Sequence, residues 1–114
     1  MYYIEKTFEL AGSHQLNLPY DSPCGRVHGH NWIITVYCKA EMVDEYGMVI
    51  DFKKLKDLVH GVLDHKHLNE MLPFNPTAEN IAKWITETVP ECWKAKVIES
   101  SNNVAIYEAG NPYV

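Results

Sequence analysis

The stretch His28-Gly29-His30-Asn31-Trp32-Ile33-Ile34-Thr35-Val36-Tyr37-Cys38-Lys39-Ala40-Glu41 decides the architecture. Trp32, Ile34, Val36, Cys38 and Ala40 share one parity. Thr35, Lys39 and Glu41 share the other, with Ile33 and Tyr37 among them. A period of two, in a segment rich in β-branched and aromatic residues, marks a long half-buried strand. Residues 2–10 alternate in the same way. Ile4, Phe8 and Leu10 lie on one face, with Lys6 the exception, and Glu5, Thr7 and Glu9 lie on the other. Between these two strands, residues 15–27 contain Pro19, Asp21, Ser22, Pro23 and Gly25 and read as a loop.

Beyond residue 50 the period changes to 3.6. Asp51 is placed to cap a helix whose apolar positions are Phe52, Leu55, Leu58, Val59, Val62 and Leu63. Thr77 caps a second helix with the stripe Ile81, Trp84, Ile85 and Val89. Glu79 in its first turn suits the helix dipole, and Pro90 ends it. Residues 94–99 and 103–108 read as two short closing strands. The order ββααββ predicts an α+β fold: a four-stranded antiparallel sheet with both helices on one face.

With 114 residues, the chain is expected to form one domain, 1–114, that buries roughly two-thirds of its surface. The net charge is −5 and Arg26 is the single arginine. That balance argues against nucleic acid as a partner, because phosphate contacts call for a basic surface. Cys24, Cys38 and Cys92 are odd in number and form no Cys-x-x-Cys pair. Such usage fits a reducing compartment. No secretory leader and no apolar run of membrane-spanning length is visible, so a soluble cytoplasmic protein is expected.

The chemistry concentrates in histidines. His28 and His30 are two apart in a strand, so both rings point to one face and can converge on a metal. His14 shares parity with Phe8 and Leu10. If the first two strands pair, it lies at the end nearest His28 and His30. Three neutral imidazoles with no thiolate suit zinc and leave the fourth position open, as in catalytic sites. Cys24 lies four residues before His28, near Arg26 and the potential metal. There it is either a fourth ligand closing a structural site or a base beside an open one. Asp64 beside His65 can orient the ring and raise its basicity, though neighbouring residues meet only through irregular backbone. His67 reads as a surface residue with ligation as its alternative, His60 as part of a solvated helix face, and Cys92 as inert. Glu99 is either an exposed edge carboxylate or a buried acceptor for a paired N–H edge of a ligand.

In order and spacing, these pieces resemble the 6-pyruvoyl-tetrahydropterin synthase family. The match rests on Cys24-Gly25-Arg26-Val27-His28-Gly29-His30, Gly47 to Phe52, Leu63-Asp64-His65 with Leu68-Asn69, Asn75-Pro76-Thr77-Ala78-Glu79-Asn80, and Glu99. The three residues between Cys24 and His28 resemble the bacterial 6-carboxy-5,6,7,8-tetrahydropterin synthase branch. The resemblance implies the tunnelling fold, zinc on His14, His28 and His30, and proton transfer by Cys24 with Asp64 and His65. It further implies that Glu99 anchors the pterin ring. The implied reaction converts 7,8-dihydroneopterin triphosphate to 6-carboxytetrahydropterin with loss of acetaldehyde and triphosphate, a step toward 7-deazaguanine and queuosine. The implied assembly is a homo-hexamer, a dimer of trimers in which sheets join into a barrel with sites between subunits. The pyruvoyl-forming synthase, or a relative that cleaves the dihydroneopterin side chain, is the alternative within the family. A non-enzymatic zinc protein closed by Cys24 is the alternative outside it. In one respect the sequence departs from the pattern: His14 follows Phe8 by six residues where the family commonly has four. The two additional residues keep parity, and a bulge is expected to absorb them.

Overall fold

In the computed structural model, which describes residues 1–109, strand β1 (Tyr2–His14) runs antiparallel to β2 (His28–Ala40). Their pairing is unbroken from Tyr2↔Ala40 to His14↔His28. No bulge absorbs the two additional residues. Ala11, Gly12 and Ser13 pair with Asn31, His30 and Gly29 in the same register as the residues before them, so the strand runs to His14 without the expected bulge. The strand therefore extends to His14, four residues beyond where its apolar alternation ends.

Helix α1 (Phe52–Leu63) starts at Asp51, whose carboxylate accepts from Lys53 N at 2.8 Å. The next segment departs from the expected four strands. His65 adopts a left-handed conformation with φ 57°, which swings the chain onto the outer edge of β1. There β3 (Lys66–His67) pairs parallel to Gly12 and Ser13, and a single-turn helix α2 (Leu68–Met71) follows. Two residues carry no readable period, so composition and alternation gave β3 no signal. Helix α3 (Ala78–Thr88) is capped by Thr77, whose hydroxyl accepts from Asn80 N. Strands β4 (Cys92–Ser100) and β5 (Asn103–Glu108) form the closing hairpin. The sheet order is β3-β1-β2-β4-β5.

One face of this sheet is apolar and covered. Phe8, Leu10, Trp32, Ile34, Val36, Cys38, Ala95 and Val97 bury against Leu55, Val59 and Leu63 of α1, Leu68 of α2, and Ile81, Ala82 and Ile85 of α3. The reverse face is polar at its centre, where Thr7 and Thr35 face each other across the strands and share a hydrogen bond of 2.9 Å. His60 departs from its expected solvated position. It is half-buried and packs edge-on against Phe8, with ring centroids 6.1 Å apart. Cys38 faces Cys92 across β2 and β4, and both thiols are free. The Cys92 contact and burial together hold the Cys38 thiol well above the ordinary thiol range. Among the described residues, no helix is long and apolar enough to cross a membrane.

Gly12 is the position where the absence of a side chain matters most. A Cβ there would come within 3.1 Å of Leu68 Cδ2 and 3.5 Å of Trp32 Nε1. Gly12→Ala is expected to cost about 1–3 kcal/mol through overpacking, read as a lower urea midpoint. An unchanged midpoint would mean that α2 is not packed on β1 as described.

Candidate metal centre

The continuous β1–β2 register brings His14 opposite His28 at the end of the sheet, with His30 one pleat further along β2. All three rings lie on the helix-covered face, and Trp32 continues their row. Trp32 Nε1 donates to Gly12 O at 3.0 Å, and its ring meets those of His14 and His30 edge-on, at centroid distances of 4.9 and 5.2 Å. The indole thus forms a rigid apolar floor under the histidines.

The backbone sets the protonation of two rings. His14 Nδ1 lies 2.8 Å from Pro76 O, and His28 Nδ1 lies 2.6 Å from Arg26 O. A carbonyl only accepts, so each Nδ1 carries the hydrogen and each neutral ring presents a bare Nε2 lone pair. Those two Nε2 atoms are 2.9 Å apart. Glu99 Oε1 lies 3.2 Å from His14 Nε2 and 3.2 Å from His30 Nε2. The His30 approach lacks hydrogen-bond geometry, so among the described residues its buried Nε2 has no hydrogen-bond partner. Four potential ligand atoms therefore converge, all within 4.8 Å of one another. Such a nest is suited to a cation.

The donor set fits a metal. Histidine nitrogens and a carboxylate suit zinc, whose tetrahedral ligands at ~2.0–2.1 Å lie ~3.3 Å apart. The orienting carbonyls are the outer partners that metal-binding histidines require. His14 is fully buried. Burial is the main cause holding its pKa below the ordinary 6.5, with His28 and His30 adding to the effect and Pro76 O and Glu99 opposing it. Protonation of this ring is therefore disfavoured, which leaves its Nε2 lone pair free.

The remaining sequence-predicted residues occupy the surroundings. Cys24 is exposed in a 3-10 turn, Pro23–Gly25, and is not among the converging donors; Glu99 is the fourth. The turn is tied to the chain just after His14 by Leu16 N→Cys24 O at 3.0 Å and Gln15 Nε2→Gly25 O at 2.9 Å. Those bonds keep the thiol at the histidine end of the sheet. The Asp64–His65 contact does form, at 2.7 Å between Oδ2 and Nδ1, through the irregular backbone it requires. Asp64 Oδ1 accepts from Ala11 N, which is the main cause holding its carboxyl below the ordinary range, and His65 N donates to Ala11 O. The pair thus sits at the β1 edge, away from the four converging donors, and the His65 side chain is 81% exposed. His67 is half-buried and bonds to Ser13 Oγ at 2.9 Å, so it braces β3 and is not among the converging donors.

Two asparagines carry a positioning role that composition and alternation do not reveal. Asn69 and Asn75 each pair with the backbone after His14, at Gln15 and Asn17 respectively, accepting from N and donating to O. They extend the strand by imitating a neighbouring one. Pro76, between Asn75 and the α3 cap, presents its carbonyl to His14. The motif Asn75-Pro76-Thr77 therefore holds the chain, orients a ring and starts a helix in three consecutive residues.

With this geometry in view, comparison with known proteins gives a consistent result. A family model described as 6-pyruvoyl tetrahydropterin synthase matches residues 3–111. The chain belongs to this family. It is similar to 6-carboxy-5,6,7,8-tetrahydropterin synthase of Bacillus subtilis, with 28% identity over 121 residues, 91% of this chain and 83% of the relative. It is also similar to dihydroneopterin monophosphate aldolase of Pyrococcus furiosus, with 46% identity over 66 residues, 55% of each chain. Among solved structures, 6-pyruvoyl tetrahydropterin synthase of Caenorhabditis elegans matches with a TM-score of 0.76 and 25% identity, covering 96% of both chains. The α+β sheet and helices are thus the family's tunnelling fold, with β3 as the fifth strand.

The buried His14 makes a pH prediction. Its folded pKa is depressed, so below about 6.5 the unfolded chain takes up a proton that the folded chain resists. Stability present above that pH is lost as pH falls through it. In chelator-treated protein, the urea midpoint should drop between pH 7 and 5, and His14→Asn should flatten that drop. A midpoint equally pH-dependent in both proteins would contradict the burial of His14.

Proposed function

We propose that the chain is a pterin-processing enzyme that uses zinc to convert 7,8-dihydroneopterin triphosphate into 6-carboxy-5,6,7,8-tetrahydropterin, acetaldehyde and triphosphate. The observation that carries this reading is the three-histidine nest with Glu99 at its border. The Bacillus subtilis relative and the three-residue spacing between Cys24 and His28 support the carboxy-forming branch. The proposed setting is the cytoplasm, on the route to 7-deazaguanine and queuosine, with 1–114 as one catalytic domain.

In this reading His14, His28 and His30 hold the metal, which when bound supplies Lewis acidity toward the substrate's side-chain oxygens. Cys24 takes and returns protons along that side chain. Its exposed position on a tethered turn suits a group that must reach a substrate. Asp64 holds the His65 ring through Nδ1 and leaves Nε2 free to relay a proton. Glu99 accepts the N–H edge of the pterin as a charge-assisted pair.

The exposed His65 also bears on assembly. Among the described residues, the outer edge of β1 is unpaired beyond the two residues of β3, and β5 ends the other side of the sheet. Exposed edges of this kind invite strand pairing. A homo-hexamer with sites between subunits would join the sheets and bring the Asp64–His65 pair to the nest of a neighbouring subunit.

A second reading, dihydroneopterin side-chain cleavage, is favoured by the 46% identity to the Pyrococcus furiosus aldolase. Product analysis separates them, and also separates the pyruvoyl-forming alternative. Incubation with dihydroneopterin triphosphate is expected to release acetaldehyde and leave a one-carbon carboxyl substituent. A retained three-carbon side chain would contradict the carboxy reading, as would turnover confined to the monophosphate. Cys24→Ala should keep the fold and the metal yet lose activity by about 10²–10⁴-fold. Loss of the metal in that variant would instead make Cys24 a ligand. Light scattering should report a hexamer, and a monomer at micromolar concentration would remove the shared site.

A further inference from the structure

Glu99 occupies a border. One oxygen of its carboxylate faces His14 and His30 at 3.2 Å each, while the residue also lines a cleft of about 500 Å³. The cleft is bounded further by Glu79, Asn102, Asn103 and Ala105. The four converging groups are not equally fixed. His14 and His28 are each held through Nδ1 by a backbone carbonyl, and His30 is walled by the Trp32 ring. Among the described residues, no hydrogen bond anchors the Glu99 carboxylate, and its side chain is 20% exposed. A donor set of three histidines and one carboxylate fills all four tetrahedral positions, whereas catalysis at such a centre needs one position open. The same carboxylate is the acceptor that the preceding section assigns to the pterin.

We infer that Glu99 is a releasable fourth ligand, closing the metal centre while the cleft is empty and leaving it for the N–H edge of an entering pterin. This inference rests on the pterin reading and deepens it. The carboxylate has two competing partners, a cation on one side and a paired N–H edge on the other. Its side chain can serve only one fully, because a paired N–H edge takes both carboxylate oxygens and one of them faces the histidines. Occupation of the cleft and opening of the metal are thereby coupled in a single residue. The centre stays coordinatively closed, and so protected from adventitious ligands, until the correct planar ring arrives. A differential interaction of this kind is what allows a ligand to shift a two-state equilibrium.

The test uses the full-length protein loaded with Co²⁺, whose visible absorption responds to the number and identity of its ligands, and neopterin as the probe. Glu99→Gln should alter the Co²⁺ spectrum before any pterin is added and weaken Co²⁺ affinity by at least about tenfold. Circular dichroism should be unchanged, and Glu99→Asp serves as a second variant should the first fail to fold. At neopterin concentrations that saturate each protein, the wild-type spectrum should shift more than that of Glu99→Gln, which has no carboxylate to release. A variant with wild-type spectrum and affinity would overturn the ligand assignment. Neopterin binding, followed by its own fluorescence, without a spectral shift in the wild type would overturn the release. Absence of any neopterin binding would sink the pterin reading and the release with it, while the ligand assignment would still be decided by the variant's spectrum.

Discussion

Two imidazole Nε2 atoms 2.9 Å apart, each on a ring whose other nitrogen is committed to a backbone carbonyl, impose the constraint on which the site depends. The carbonyls remove the choice of tautomer. With both lone pairs turned inward and a carboxylate oxygen beside them, the end of the sheet is arranged to receive a cation. Burial disfavours a proton at His14, so a metal meets the demand better. The unbroken register that sets His14 against His28, the floor provided by Trp32 and the carbonyl of Pro76 all serve to hold acceptors where they would otherwise repel.

The rest of the fold can be understood as support for that arrangement. The apolar face of the sheet is covered by α1, α2 and α3, and the segment that carries Pro76 leads directly into α3. Asn69 and Asn75 prolong β1 past His14 by supplying strand-like hydrogen bonds from side chains. The left-handed His65 turns the chain so that Asp64 bonds to Ala11 N on the edge of β1. Each of these is a local interaction within a few residues of a converging histidine or of the Asp64–His65 pair.

Much of this was legible in the sequence because it is periodic. Trp32, Ile34, Val36 and Cys38 announce their strand by alternation. Leu55, Val59, Ile81 and Ile85 announce their helices by recurrence at three and four. His28 and His30 reveal a shared face by their separation of two, and His14 by its parity with Phe8. What was not legible depends on contacts between distant residues. The two-residue β3 exists only because β1 offers it an edge, and composition and alternation do not mark Lys66 or His67 as a strand. The expected bulge is absent because whether two added residues bulge or extend is decided by the partner strand. Pairing of the closing hairpin into the sheet was expected to bring Glu99 into a pocket with the histidines, but not as a fourth donor: its approach to 3.2 Å from His14 and His30 follows from the pairing of β4 with β2.

A histidine nest of this geometry is expected to hold a metal ion. Elemental analysis of the purified full-length protein by mass spectrometry, beside His28→Ala, tests this most directly. The account predicts about one bound zinc per chain in the wild type, retained through gel filtration, and little in the variant while its circular dichroism is preserved. Wild-type protein that binds no divalent metal when it is supplied, or a folded His28→Ala variant with undiminished metal, would contradict it.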